Sequence, residues 1–312
     1  MANPILTTPT YAGEFSGKYI SAALLSASTL DAGLITIMPN VKYKSVIQTG
    51  SFDSIVKNST CDFETGAGTL TLDEKVIQPK ELQVNLVICK KDLQDSWEAE
   101  AMGFSAFDNL APSFEEYVIG YTAAKVANKI ETNIWEGAVG NAGEFDGFGV
   151  LSTAQLPGAN IIAAVAGGVN DGNVLAEMGK VADAVPTTVY GQEDLFIYVS
   201  SNVARAYVRA LGGFAANGLG ANGIDGQGTT WYTNGALSFD GIPVVVGKGM
   251  ANNKMYAAQK SNLFFGTGLL NDTNEVKVLD MSDLDGSRNV RVIMRFTGGC
   301  QIGTATDVIA YA

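Results

Sequence analysis

One helix constrains this chain more than any other feature of its sequence. Ser113 and Glu116 form an S-x-x-E capping box behind Pro112, and the helical pattern they open runs to about Trp135, just before Gly137. Ile119, Ala123, Val126, Ile130 and Ile134 recur at helical spacing on one stripe, which is the face expected to be buried. Glu116, Lys125, Lys129 and Glu131 are expected where water or a neighbouring subunit reaches them. At 1.5 Å per residue, about 23 residues make a rod of roughly 35 Å.

What precedes the rod has little core of its own. Residues 1–47 combine a short helical stretch, Tyr19 to Ser28, with an irregular lead carrying Pro4, Pro9 and Pro39. Ile5, Tyr11, Phe15, Tyr19, Ile20 and Leu24 are too apolar to be left in water, so the segment reads as an arm that something else covers. From Gly50 to about Lys90 the pattern is β. Thr69 to Leu72 alternates, Leu82 to Ile88 alternates strictly, and a polar, glycine-bearing stretch lies around Glu64 to Gly68. These features predict an extended hairpin. An isolated two-stranded ribbon is marginal in water, so it must lie on another chain or fold back on its own domain.

After the rod come a glycine-rich turn region from Glu136 to Val150, a strand at Ile161 to Val165, and a helix from about Asn173 to Val185 that Pro186 stops. Leu195 to Val199 is a strand running into a helix from Asn202 to Leu211, capped by Ser200 or Ser201 and closed by Gly212 and Gly213. Gly212 to Gly241 reads as a glycine-laden loop. Strands follow at Ile242 to Val246, Met255 to Ala258, Leu263 to Phe265, Val276 to Met281 and Val290 to Phe296, with a last one at Val308 to Tyr311. Val290, Val292, Met294 and Phe296 share one face. No internal repeat or charged linker divides the chain, and the class is α+β.

Composition removes most enzyme chemistry. With no histidine among 312 residues, Ser-His-Asp and Cys-His triads are impossible, and so is a cysteine and histidine metal site. Cys61, Cys89 and Cys300 stand far apart in no paired motif and read as small hydrophobes. Gly218, Gly220 and Gly223 spell G-x-G-x-x-G, but with no strand before them and no helix after them the physical basis of dinucleotide binding is missing. Asn58 begins a sequon by spelling only. Asp280, Asp283 and Asp285 could hold a divalent cation between subunits, though a solvated turn explains them as well. No catalytic, cofactor-binding or metal-binding residue is assigned.

The formal charge of −12, from 32 acidic and 20 basic residues, opposes a chain whose work is gripping phosphates. No stretch approaches the roughly 20 apolar residues of a membrane span, and the N-terminus lacks the features of a secretory signal. Charged residues make up 17%, hydrophobic ones 46%, and there are 36 glycines, a balance that leaves much nominal exterior to be covered by partners.

The order of these parts resembles the major capsid protein of tailed bacteriophages, the Hong Kong 97 type. The resemblance rests on Thr69 to Ser96, on Ile134 to Gly137 with Phe145 to Val150, and on Ser261 to Gly266, Val278 to Met281 and Val290 to Phe296. It covers nearly the whole chain, and order and spacing carry it, since none of these pieces is a catalytic signature. It implies an N-terminal arm at 1–47, an extended loop at 48–90, a peripheral domain at 91–154 and 289–312 with a spine helix at 113–136, and an apical domain at 155–288.

It further implies pentamers and hexamers of an icosahedral shell around double-stranded DNA held without sequence-specific binding. The subunit-contact residues would be Phe63, Gly66, Gly68, Leu70, Lys75, Glu116, Lys125 and Lys129. The partners would be the chain itself, a separate scaffolding protein, a portal and decoration proteins, in a virion assembled in the host bacterial cytoplasm, with no membrane involved. Because no long charge-rich helical region precedes the arm, either a separate scaffold is used or the chain is already processed, and the initial Met1 favours a separate scaffold. Crosslinks between subunits through Lys57, Lys75 or Lys80 are a further possibility that some shells raise. Two alternatives stay open: another virion part such as a tail tube or decoration protein, and an α+β enzyme or sugar-binding protein. The long capped helix argues against an all-β tail tube, and closed particles of megadalton size would separate a capsid subunit from an enzyme.

Overall fold

The structure, a computed structural model, describes residues 28–52, 56, 58, 59, 61, 70–89, 112–211, 237–268, 277–281 and 285–312. Its helices are α1 (Ser28–Asp31), α2 (Pro112–Glu136), α3 (Phe148–Gln155), α4 (Val174–Asp183) and α5 (Ser201–Leu211). The strands to Cys89 are β1 (Thr36–Met38), β2 (Ser45–Phe52), β3 (Leu70–Ile77) and β4 (Lys80–Cys89). Those that follow are β5 (Ile161–Ile162), β6 (Leu195–Val199), β7 (Leu237–Phe239), β8 (Ile242–Val246), β9 (Met255–Gln259), β10 (Leu263–Gly266), β11 (Lys277–Asp280), β12 (Asn289–Ile302) and β13 (Ile309–Tyr311).

The rod is α2, which begins at Pro112 so that Ser113 lies inside the helix, and Val126, Ile130 and Ile134 of its apolar stripe are buried. They pack with Met294, Phe296 and Ile302 of β12, the strand around which a five-stranded sheet is organised. The first part of β12 pairs antiparallel with β4 on one side and β11 on the other, and its last residues pair with β10, which β1 joins in parallel. The alternation read in the sequence sets the faces: Val290, Val292, Met294 and Phe296 are buried, while Arg291 and Arg295 between them are exposed.

The second sheet has six strands in the order β5-β13-β9-β6-β8-β7. One face carries α4 and α5 over a core of Val174, Met178, Val181, Val203, Ile197 and Val244. Its other face meets the end of α2, where Trp135 is fully buried with ring centroids 5.3 Å from Tyr198, 5.6 Å from Phe148 and 5.8 Å from Tyr256. Aromatic packing at these separations adds to burial. This cluster joins spine and sheet into one body.

Several expectations change. Leu82 to Ile88 does not pair with the strand just before it: β4 leaves across Gln78 and Pro79 and pairs with β12 over ten residues, and the ribbon partner of β3 is β2. The apolar alternation of β4 matches that of β12, with Leu86 opposite Val292 and Leu82 opposite Phe296, and the apolar face of β12 is buried while that of β4 is half-buried. Glu131, expected in water, is fully buried because its carboxylate accepts the Thr29 amide and hydroxyl. The strand expected at Ile161 to Val165 spans only Ile161–Ile162; beyond it the Ala164 amide still donates to the Ala312 carbonyl, and the Val165 amide donates to the Tyr311 hydroxyl. The glycine-rich turn region contains α3, and Leu237 to Phe239 is the edge strand β7. The closing strand β13, grouped by sequence with the spine, pairs with β5 and β9 in the six-stranded sheet, while β10 and β11 belong to the five-stranded one.

Candidate assembly surfaces

β2 and β3 form a two-stranded sheet of their own, with Ser45 opposite Ile77 at the root and Phe52 opposite Leu70 at the far end. Residues directly opposite share a face, so Val46 and Val76, Gln48 and Glu74, and Gly50 and Leu72 line one side. Four apolar side chains on that side are open to solvent: Leu72 is 70% exposed, Leu70 52%, Val46 48% and Val76 44%. The opposite side carries Thr49, Thr71, Asp73 and Lys75, with Ile47 opposite Lys75. The ribbon thus carries its exposed apolar side chains on one face, beside Gln48 and Glu74, and none of the four is buried by the described residues.

Its root is fixed. Ile77 is 1% exposed and seats against Gly266 of β10, where an added Cβ would stand 2.8 Å from the Ile77 Cδ1. Gly299 of β12 passes as closely under Pro79, with an added Cβ 3.0 Å from its Cα. The Gln301 side chain donates to the Val76 carbonyl at 2.9 Å. A rigid base with an uncovered apolar blade is the arrangement of an element built to lie on something else.

The second surface flanks the spine. Glu144, in the turn after α2, accepts from Lys129 Nζ, from the Asn141 side-chain amide and from the Ala138 amide. The hydrogen bond from Lys129, then those from Asn141 and Ala138, hold its carboxyl down from 4.5 to about 2. Asp146 accepts from the Val139 amide at 2.7 Å, and Lys80 donates to the Val139 carbonyl at 3.1 Å. These contacts brace the turn while leaving Val139 55% exposed at its tip.

The sequence-predicted contact residues fall in several places. Leu70 lies on the ribbon face that carries the exposed apolar side chains and Lys75 on the opposite face. Lys125 is exposed with its ammonium 5.4 Å from the Tyr121 ring centroid, and Lys129 is spent within the subunit on Glu144. Glu116 lies in α2, but its side chain, like Phe63, Gly66 and Gly68, is outside the described residues. Val46, Leu72 and Val76 were not singled out, although the alternation of Leu70, Leu72 and Val76 was the signal that could have found them. Lys57, Asp283 and the glycine motif at 218–223 also lie outside the described residues. Asp285 accepts from the Ser287 amide and stands 4.0 Å from Arg291. Among the described residues no group of three or more potential ligands could hold a metal ion, and no helix is long and apolar enough to cross a membrane.

No protein-family model and no curated protein matches the sequence. Solved structures do match. The capsid of a native GTA particle aligns over 96% of this chain and 94% of its own with a TM-score of 0.61 at 14% identity. The capsid of Myoviridae phage XM1 aligns over 96% of both chains at 0.59 and 11% identity. A structure of Mycobacterium phage Adephagia aligns over 97% of this chain and 94% of its own at 0.59 and 15%. The chain has the fold of these phage capsid structures, an α+β architecture of the Hong Kong 97 type.

Proposed function

We propose that this chain is a major capsid protein, the repeating subunit of an icosahedral shell that encloses phage double-stranded DNA. The observation that carries the reading is the β2–β3 ribbon: a blade anchored at Ile77 whose apolar side chains are left open to solvent among the described residues, on a fold shared along its length with capsid chains. In a shell, that blade lies on an adjacent subunit, and the surface left open on one copy is buried in the assembly.

In this reading the five-stranded sheet and α2 form a peripheral domain, and the six-stranded sheet with α4 and α5 forms an apical domain around the axes of pentamers and hexamers. The role is structural and not enzymatic. A net charge of −12 suits a container wall that does not hold its DNA by sequence, and strong binding of DNA to empty shells at physiological salt would contradict that point. One similar structure is a satellite phage P4 procapsid including a size determination protein. By analogy, scaffolding, portal and decoration proteins are the expected partners here, in a virion shell put together in the host bacterial cytoplasm.

Sedimentation of the overexpressed chain, alone and with a candidate scaffolding protein, tests the proposal. Species of megadalton mass support it; a chain that stays monomeric under both conditions contradicts it.

A further inference from the structure

Three of the described cations of the six-stranded sheet unit gather around one groove. Arg205 and Arg209, one helical turn apart on α5, are exposed beside the exposed Lys248, which follows β8. Together they rim a groove of about 500 Å³ floored by Val208, Leu237 and Val246. No carboxylate among the described residues pairs with any of the three. In a chain of charge −12, three cations that no described carboxylate pairs, set around an apolar floor, are not a solvated average surface.

The opposite character stands on α4, which packs on β9 and β13 beside α5 on the same face of the sheet. Leu175, Gly179 and Asp183, spaced by four, share its outer face, and Asp171 is exposed at the head of the helix. Leu175 is 48% exposed, and a Cβ added at Gly179 would meet nothing within 4 Å. The one cation on α4, Lys180, is engaged by Glu177 at 2.8 Å. The free charges of this face are therefore both negative, and they flank an apolar projection.

We infer that the α5 groove receives the outer face of α4 from a second copy of this chain, with Leu175 on the apolar floor and Asp171 and Asp183 against the arginines. The two surfaces differ and stand on neighbouring helices of one sheet face, so the contact is heterologous, and repeating it by rotation closes a ring. Charge complementarity sets the register of neighbours, and like charges repel a reversed pairing. The inference rests on the capsid reading and assigns one of its subunit contacts.

The test uses the full chain. Arg205→Glu with Arg209→Glu, and separately Asp171→Arg with Asp183→Arg, are expected to keep the far-ultraviolet circular dichroism and melting temperature of the wild-type subunit while the yield of rings and particles falls at least tenfold. All four substitutions in one chain are expected to restore assembly. If either reversed pair assembles at wild-type yield, or the fourfold variant does not recover, the contact is wrong. Loss of binding to a short DNA duplex by the α5 variant with assembly intact would assign the groove to nucleic acid and overturn the inference. A wild-type chain that never assembles removes the capsid reading and the contact with it; assembly of wild type and variants alike removes only the contact.

Discussion

The carboxylate of Glu131 accepts both the amide and the hydroxyl of Thr29, a residue 102 positions earlier in the chain, and the Trp135 indole N–H donates to that same hydroxyl at 3.1 Å. All three side chains are fully buried. The knot fixes where the segment before β1 meets the spine, and it leaves no donor or acceptor in this triangle idle. Thr29→Val keeps the shape and removes the hydroxyl, stranding the indole N–H and one carboxylate oxygen. The expected loss is about 2 kcal/mol of subunit stability, seen as a lower urea midpoint at unchanged slope. A shift indistinguishable from wild type would show that the knot contributes nothing.

Gly249 presses on the same turn of α2 from the other side. A Cβ there would stand 2.1 Å from the Glu131 carbonyl oxygen and 2.5 Å from its carbon, and backbone atoms cannot swing aside. Gly249→Ala is expected to destabilise the subunit by at least about 1–3 kcal/mol. Gly179→Ala, with open space around it inside α4, is expected to stabilise the unassembled subunit by about 0.5–1 kcal/mol. Thermal melts of the two variants should move in opposite directions.

Glu144 gives the turn after α2 a pH dependence. Its carboxyl is held at about 2 in the folded chain against an ordinary 4.5, so folding favours the ionised form. That contribution is complete above 4.5 and is lost as pH falls through the window down to about 2. Glu144→Gln is expected to be less stable than wild type at neutral pH and to show a flatter stability profile across that window. Parallel profiles for the two proteins would contradict the assignment.

The helix was legible because every signal for it is local: a capping box, an apolar stripe and a closing glycine, within 25 residues. The strands β6 and β8 were read to the residue for the same reason, each a short β-rich run with turn chemistry on its flanks. Pairing was not legible. The hairpin read within 50–90 kept Leu82 to Ile88 in the ribbon, but β4, two residues after β3, lies outside it. What decides against it is the complement of Leu82 and Leu86 in β12, some two hundred residues later, which no local pattern announces. Glu131 failed similarly, since a carboxylate on a helix reads as exposed until Thr29 is known to sit against it. The ribbon's apolar face was half legible: Leu70 was identified, while Val46 needed the register that sets it beside Val76.

Assembly, not stability, should respond to the ribbon. Leu72 is 70% exposed in the subunit, so Leu72→Glu is expected to leave the melting temperature within about a degree of wild type, as surface substitutions generally do. The same substitution would put a charge into a buried contact between subunits, and particle yield by sedimentation should fall at least tenfold. Normal yield would place the blade outside the assembly.

Negative-stain electron microscopy of the purified, overexpressed chain, fractionated by size-exclusion chromatography, tests the central claim most directly. The account predicts round shells, or rings of five and six subunits, in the early fractions. A uniform monomer that forms neither, even with candidate scaffolding proteins, would contradict it.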